Sequence, residues 1–196
     1  GIVNYYLGIA DSANNMVDFG ELRGWTRVPS RNDKPYNARN QEVILNYAYF
    51  LSQNRPWNQY YSDGALLKRL EAGLDYWASL QTSMGGFKQW SPDDGEATQW
   101  AIAGLSTHQL LLAYDLLLKA GIELDSGVEK RFLSACEKAI EFMLSKPTSR
   151  LNCANQMAAG METIDLYLDI FGKENNKDIA EGLDSMIDAF FAKAQS

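Results

Sequence analysis

Histidine and cysteine are scarce in this sequence, and their scarcity excludes several kinds of site. The 196 residues contain one histidine, His108, and two cysteines, Cys136 and Cys153. Since there is no second histidine and no cysteine pair at ligand spacing, the sequence predicts no metal site. Two cysteines are too few for a disulfide framework, although a single bridge between them, and with it the redox compartment, stays open. We expect buried free thiols, because both cysteines lie in helical patterns.

Positive charge is also in deficit. Lys and Arg number 18 against 25 Asp and Glu, which gives a formal net charge of −7. No cluster of Lys or Arg offsets this excess, so the surface should repel phosphate backbones and anionic lipid headgroups. We therefore expect no nucleic-acid partner and no membrane partner. No phosphate loop and no Gly-x-Gly-x-x-Gly motif occurs, so the sequence predicts no cofactor.

Long apolar runs are missing as well. No run reaches the ~20 residues that a transmembrane helix requires, and the first residues do not have the pattern of a signal peptide. What is present is ordinary globular composition, with 46% hydrophobic and 22% charged residues. A chain of this length fits one domain and can bury about 70% of its unfolded surface. A packed core should therefore form without disulfides or metals.

Helical patterns occupy most of the chain after an irregular start. Residues 1–39 are rich in Asn, Asp, Gly and Arg, with Pro29 and Pro35, which predicts an irregular N-terminal arm with room for one short helix. Residues 40–196 form the predicted helical domain. Its six helices are predicted at 40–54, 64–82, 97–120, 126–145, 152–171 and 176–194.

Alternate helices begin alike. Gln41, Gln99 and Gln156 each open an apolar helix, and they are 58 and 57 residues apart. The helices between them are amphipathic, each with a single apolar stripe. This pattern predicts an all-α fold in which three repeated helical hairpins form an arc of an α/α toroid. The alternative is three unrelated hairpins whose Asn and Thr residues are ordinary N-caps.

In such an array the inner helices start at the same end of a central groove. Their unpaired N–H groups and positive dipole ends suit an anionic or hydroxyl-rich ligand. The loop at 85–96 adds aromatic rings between carboxylates and amides, a composition that suits contact with sugars. The predicted substrate-binding residues are Arg39, Asn40, Gln41, Trp90, Asp94, Glu96, Gln99, Trp100 and Asn152.

Each of these residues also has a purely structural interpretation. Loop aromatics such as Trp90 can pack into the core. Asp93, Asp94 and Glu96 could supply a general acid and base, but carboxylates before a helix commonly complement its dipole instead. A lone helical histidine such as His108 is more often structural than catalytic.

The repeated inner helices and the Gly-Gly-Phe-Lys-Gln-Trp loop at 85–90 resemble the α/α-toroid proteins of carbohydrate metabolism. Over residues 36–196 the chain looks most like the toroid domain of heparinase II/III-like and alginate-type polysaccharide lyases, and the loop is also similar to those of unsaturated glycuronidases. The resemblance implies a polysaccharide or oligosaccharide partner and a secreted or periplasmic location. It also implies further domains of a larger chain, since a toroid is followed by β-sandwiches in those families.

The resemblance also suggests catalytic candidates. Such lyases abstract a proton beside a uronate carboxylate, with Tyr or His as base or acid and an amide that neutralises the carboxylate. Asn155 and Gln156 resemble that amide element, and His108 is the remaining candidate. The sequence leaves open whether the chain is an enzyme; if it is, a lyase of uronic-acid polymers is implied. We expect the isolated chain to be inert, and the alternative function is a non-catalytic helical-repeat scaffold or peptide-binding module.

Overall fold

The described part of the chain is almost entirely helical after a short pair of strands. A computed structural model describes residues 17–18, 24–28, 31–147 and 149–194. Most of the predicted arm, residues 1–39, lies outside the described residues. Its described part contains β1 (Val17–Asp18) and β2 (Trp25–Thr26), which pair in antiparallel fashion.

Six α-helices make up most of the rest of the described chain. They are α1 (Ile44–Ser52), α2 (Gly64–Ser79), α3 (Glu96–Lys119), α4 (Ser126–Ser145), α5 (Ala154–Phe171) and α6 (Lys177–Ala194). The all-α class is therefore confirmed, and five of the six helices begin and end within three residues of the predicted bounds. The first begins four residues late, because Ala38–Val43 forms a 3-10 turn. Apolar spacing does not separate this tighter helix from an α-helix.

The helices pack as two rows. The inner row consists of α1, α3 and α5, with α3 in the middle, and the outer row consists of α2, α4 and α6. Each inner helix also packs against the outer helix that follows it in the chain. The turn before α1 is hydrogen-bonded to the loop before α3, and α5 runs alongside α3 in the same direction, with Gly160 beside Trp100 and Thr163 bonded to Gly104. The three inner helices therefore all begin at the same end of the molecule.

Small residues bring α3 and α5 together. A Cβ atom on Gly104 would lie only 3.0 Å from backbone atoms of Gly160, and the Thr163 hydroxyl donates a hydrogen bond to the Gly104 carbonyl oxygen at 2.8 Å. Trp100 fills the adjoining space, where a Cβ on Gly160 would come within 2.5 Å of its ring. The Trp100 indole N–H donates to the Met143 carbonyl oxygen at 3.1 Å. One side chain thus joins α3, α4 and α5.

The composition of α3 follows from its central position. The expectation that no stretch is long and apolar enough to span a membrane is corrected by α3, which alone among the described helices meets that limit by length and composition. Of its most apolar stretch, 61% is buried within the protein. The outer row covers one side of α3, while α1 and α5 cover two others. A helix packed on so many sides is expected to be apolar nearly all round.

The two cysteines are both free thiols, so no bridge joins them. Cys136 is fully buried in α4, and this burial raises the pKa of its thiol well above the ordinary value. Cys153 precedes α5 and is partly exposed. The expectation of a buried thiol is therefore confirmed for Cys136 and wrong for Cys153, which lies at the helix start rather than inside the helix.

We expect Gly160→Ala to destabilise the protein, because the new methyl group would overlap the Trp100 ring. Overpacking of this kind costs about 1–3 kcal/mol, and each kcal/mol lowers the unfolding midpoint by about 2–4 °C in a domain of this size. Thermal denaturation measures the change. Gly64→Ala is the matched control, because a Cβ on Gly64 meets no atom within 4 Å. Equal midpoints for the two variants would contradict the packing described here.

Candidate ligand site at the inner-helix starts

The 3-10 turn before α1 and the loop before α3 form one connected surface at the start of the inner row. The Ala38 N–H donates to the Lys88 carbonyl oxygen at 3.1 Å. The Tyr36 hydroxyl donates to the Trp90 carbonyl oxygen at 3.2 Å. These bonds join residues that are 50 and 54 positions apart in the chain. They place the side chains that precede α3 beside those that precede α1.

The outer helices α2 and α4 differ from the inner helices α3 and α5 in how they begin. The outer helices α2 and α4 are capped by Asp63 and Asp125, whose carboxylates accept hydrogen bonds from N–H groups of the first turn. The inner helices α3 and α5 begin at Gly95 and Cys153, and neither residue caps its helix with its side chain. The first N–H groups of these two inner helices carry partial positive charge and are available to a ligand or to solvent.

Trp90 is the most exposed large side chain at this end, with 64% of its surface accessible. Its backbone is nevertheless held on both sides. Asp94 Oδ2 accepts hydrogen bonds from the N–H groups of Gln89 at 2.7 Å and Trp90 at 2.8 Å, and Tyr36 binds the Trp90 carbonyl oxygen. The carboxylate of Asp94 is therefore occupied by the loop itself. Asp94 thus positions the Trp90 backbone, and its contact with a ligand stays a prediction.

Gln99 and Trp100 lie in the interior, so the prediction that they line a groove is wrong. Gln99 Nε2 donates to the Asp94 carbonyl oxygen at 2.6 Å, and its Oε1 accepts from the Thr82 hydroxyl at 2.8 Å. Trp100 is 0% exposed. Both residues are covered by the loop at 82–95 or by α4 and α5. Gln99 therefore fastens the loop, and Trp100 belongs to the core.

Asn40 and Gln41 are also fully buried, which corrects their prediction as ligand contacts. The 3-10 turn directs both residues inward. Arg39 is partly exposed, and its Nε lies 2.6 Å from Glu42 Oε1. Arg31 pairs with the same buried carboxylate. Of the predicted residues in this turn, only Arg39 reaches the surface, and it does so with a carboxylate partner.

The start of α5 is the most open part of the site. Asn152 and Asn155 are exposed, and the Cys153 thiol donates to Asn155 Oδ1 at 3.2 Å. Two polar atoms nearby in the chain, Arg150 Nε and Gln156 Oε1, are buried and have no hydrogen-bond partner within the described ranges. Amides and a guanidinium therefore surround an uncapped helix start, although Gln156 is itself mostly enclosed.

The charge at this end differs from that of the whole chain. Glu96 at the start of α3 is exposed and pairs with Lys146 at 3.3 Å. Three other cations, Lys34, Lys88 and Arg150, have no carboxylate partner in the part of the chain that the structure describes. A protein with a net charge of −7 therefore presents unpaired positive charge beside the inner-helix starts.

His108 does not reach this site. It lies in the middle of α3, with Nδ1 3.4 Å from Gln109 Nε2. Because Gly104 contacts Gly160, these two residues mark the same level on α3 and α5. His108 lies four residues beyond that level and Asn155 five residues before it, a separation of about 14 Å along the helix axes. The predicted catalytic set of Asn155, Gln156 and His108 is therefore not brought together.

Tyr114 and Tyr167 lie in the second halves of α3 and α5, far from the helix starts, and hold their protons tightly. Burial raises the pKa of Tyr114, and the nearby Glu129, which accepts its hydroxyl at 2.7 Å, raises it further. Burial, followed by the negative charge of Glu137, raises the pKa of Tyr167 to about 12. A general base needs a pKa near the working pH. Neither tyrosine meets that requirement at neutral pH.

Sequence reasoning missed three residues of the site, namely Tyr36, Lys88 and Arg150. Tyr36 acts on Trp90 through a contact that spans 54 positions, and no local pattern indicates it.

Within the described ranges, no group of three or more His, Cys, Asp or Glu side chains is placed to hold a metal ion. No family model, curated protein or solved structure matches the chain.

We expect the stability of the protein to fall as the pH rises from about 10 towards 12. The folded-state pKa of Tyr167 is about 12, above the ordinary value of 10.0, so the folded state keeps a proton that the unfolded state loses in this range. The contribution of the protonated Tyr167 to the free energy of unfolding is complete below pH 10 and is lost at higher pH. Denaturant unfolding across this range should show a shallower pH dependence for Tyr167→Phe. Identical slopes for the variant and the parent would contradict the assignment.

Proposed function

We propose that this protein is a carbohydrate-binding domain that binds an acidic polysaccharide at the starts of its inner helices. In this proposal the pairs α1–α2, α3–α4 and α5–α6 are three copies of one hairpin, and their two rows form an arc of an α/α toroid. The spacing of Gln41, Gln99 and Gln156 supports the repeat. The separate packing of inner and outer helices supports the arrangement. A secreted or periplasmic location and further domains of a larger chain belong to the same proposal.

The contrast between the capped outer helices α2 and α4 and the uncapped inner helices α3 and α5 carries the proposal. Asp63 and Asp125 supply a capping carboxylate to the first turns of α2 and α4. Neither Gly95 nor Cys153 caps α3 or α5 with its side chain, and Glu96, the acidic residue in the first turn of α3, is paired with Lys146. A carboxylate from a bound uronate would accept the same N–H hydrogen bonds and complement the same dipole. The ligand would then take the place that aspartate occupies in the outer row.

The side chains around these starts suit the other groups of a uronic-acid polymer. Trp90 offers an exposed ring for the apolar face of a sugar, and its fixed backbone lowers the ordering cost of binding. Asn152 and Asn155 can pair with hydroxyl groups. Lys88 and Arg150 add positive charge that attracts a polyanion and raises its association rate. Ring, hydroxyl and carboxylate groups thus each have a complementary partner.

The geometry favours binding without catalysis. Proton abstraction beside a uronate carboxylate needs a base within hydrogen-bond reach of the substrate. His108 lies about 14 Å along the helix axes from Asn155, and the pKa of Tyr167 is about 12. If the larger protein is a lyase, Asn155 is the exposed amide that could neutralise the substrate carboxylate, and its base must come from elsewhere.

A second candidate function, as a peptide-binding or scaffold module, is favoured by an aromatic patch at the opposite end of α1. Tyr49, Trp57 and Tyr61 are all exposed there. Phe50 packs edge-on against Tyr49 at 5.7 Å and against Trp57 at 6.4 Å between ring centroids. The buried Asn58 fastens the loop by donating to the Phe50 carbonyl oxygen at 2.6 Å. Rigid Trp and Tyr side chains of this kind are typical of protein-interaction hot spots.

Trp90→Ala should weaken binding of a uronic-acid oligomer by about tenfold or more, since one stacked ring contributes about 1–3 kcal/mol. Its exposure predicts little loss of stability. Isothermal titration with uronic-acid and neutral oligosaccharides measures the effect. Trp57→Ala is the matched control, because this exposed tryptophan lies at the opposite end of the inner row. Saccharide binding that is lost in Trp57→Ala and kept in Trp90→Ala would reject the proposed site. If the parent protein binds none of the saccharides, the peptide-binding alternative is favoured.

Cys153→Asp tests the uncapped helix start directly. The new carboxylate should cap α5 and raise stability by about 0.5–2 kcal/mol. The same carboxylate should compete with an acidic saccharide for the N–H groups and repel it, so the affinity should fall. Cys153→Ala is the control, which adds no cap and no charge and should bind as the parent does. Suppose that Cys153→Asp is more stable than Cys153→Ala, which shows that the new carboxylate caps α5. Equal affinity of the two variants for the saccharide would then show that the ligand does not use this helix start.

A further inference from the structure

Three fully buried side chains near the first hairpin carry polar atoms whose hydrogen-bonding capacity is unfilled. The atoms are Thr26 Oγ1, Gln41 Oε1, Gln41 Nε2 and the Tyr47 hydroxyl. Each of the three residues is 0% exposed. Buried polar groups are almost always hydrogen-bonded, because an unpaired group keeps the cost of its lost hydration. The Gln41 amide has no protein partner, and the Thr26 and Tyr47 side chains have only each other.

The Gln41 amide lies against the middle of α2. A Cβ atom on Gly73 would be 3.5 Å from Gln41 Oε1 and 2.8 Å from the Ile44 side chain. Glycine inside a helix costs stability relative to alanine, so its presence here has a packing reason. It removes a side chain at the point where the 3-10 turn and α1 pack on α2, next to the unpaired amide.

Thr26 and Tyr47 lie along the same seam. Gly24 approaches α2 so closely that a Cβ on it would lie 2.0 Å from the Ala72 carbonyl oxygen, which places β2 beside Gly73. The Tyr47 hydroxyl makes a side-chain hydrogen bond with Thr26 and is influenced by the charge of Arg69, one helical turn before Gly73. β2, the 3-10 turn and α1 thus bring these polar atoms to one stretch of α2.

The chemistry of these atoms specifies what can join them. The Gln41 amide offers two donors and one acceptor, and each hydroxyl offers one donor as well as acceptor capacity. Burial raises the pKa of the Tyr47 hydroxyl, so it keeps its proton. The carboxylate of the neighbouring Glu42 is paired with Arg31 and Arg39. The partner must therefore be small and uncharged, and it must both donate and accept hydrogen bonds.

We propose that this seam is an internal hydration site, in which ordered water bridges the Gln41 amide to the Tyr47 and Thr26 hydroxyls. A buried water makes about three hydrogen bonds, so about two molecules would satisfy the Gln41 amide and the remaining capacity of the Thr26–Tyr47 hydroxyl pair. The water joins β2 to the first hairpin and holds the 3-10 turn that carries Arg39. The proposal does not depend on saccharide binding.

A comparison of two buried glutamines tests the proposal. Gln99→Met removes an amide whose partners are Thr82 and Asp94, so its unfolding midpoint should fall by at least about 2–4 °C. Gln41→Met should lower the midpoint by a similar amount, because a water-mediated hydrogen bond is nearly as favourable as a direct one. If no water binds the Gln41 amide, methionine instead removes a buried polar group that has no partner, and the unfolding midpoint should rise. A midpoint that rises in Gln41→Met while it falls in Gln99→Met would overturn the proposal.

A structural measurement decides the same question without relying on how the variants fold. In a high-resolution crystal structure of the full chain, we expect water density within hydrogen-bond distance of both the Gln41 amide and the Tyr47 hydroxyl. Nuclear Overhauser contacts between long-lived water and the Gln41 side-chain N–H protons should appear in solution. Density in which the Gln41 amide is bonded directly to protein atoms, with no water on it, would overturn the proposal. In Tyr47→Phe the water on Gln41 should persist and the midpoint should fall.

Discussion

The insertion of the Trp100 indole between α4 and α5 is the contact on which the rest of the structure depends. The ring can lie over α5 only because Gly160 has no side chain, and there its N–H reaches the Met143 carbonyl oxygen. The same glycine lets α5 approach Gly104 of α3. A buried indole contributes both a large apolar area and a satisfied hydrogen bond. This one residue therefore sets the spacing of the inner row and ties it to the outer row.

The order of the loop that carries Trp90 depends on that core. Gln99 is the neighbour of Trp100 in α3, and its amide holds the loop through Asp94 and Thr82. Asp94 in turn holds the backbone of Trp90. A chain of hydrogen bonds thus runs from the part-buried amide of Gln99 to the backbone of an exposed aromatic residue. These bonds fix the backbone from which the Trp90 ring projects.

Parts of the fold could be predicted because their causes are local. Asp125 starts α4 and Gly172, with φ 86°, ends α5, and both residue types were recognisable at those positions. Trp90, Asn152 and Asn155 were placed at the inner-helix starts, and all three are exposed there. Other predicted contacts could not be judged locally. Whether a residue at a helix start meets solvent depends on which distant loop covers it, as the loop at 82–95 covers Gln99.

The sequence by itself determined the number, order and approximate bounds of the helices within the described chain, because apolar spacing and capping residues act over a few neighbouring positions. Only the tertiary structure decided that Gln41 and Trp100 face inward and that His108 lies far along α3 from Asn155. Those outcomes depend on the register between helices, which is set where Gly104 meets Gly160. A contact between residues so far apart in the chain leaves no mark in local periodicity, so the composition of a site could be predicted while its assembly could not.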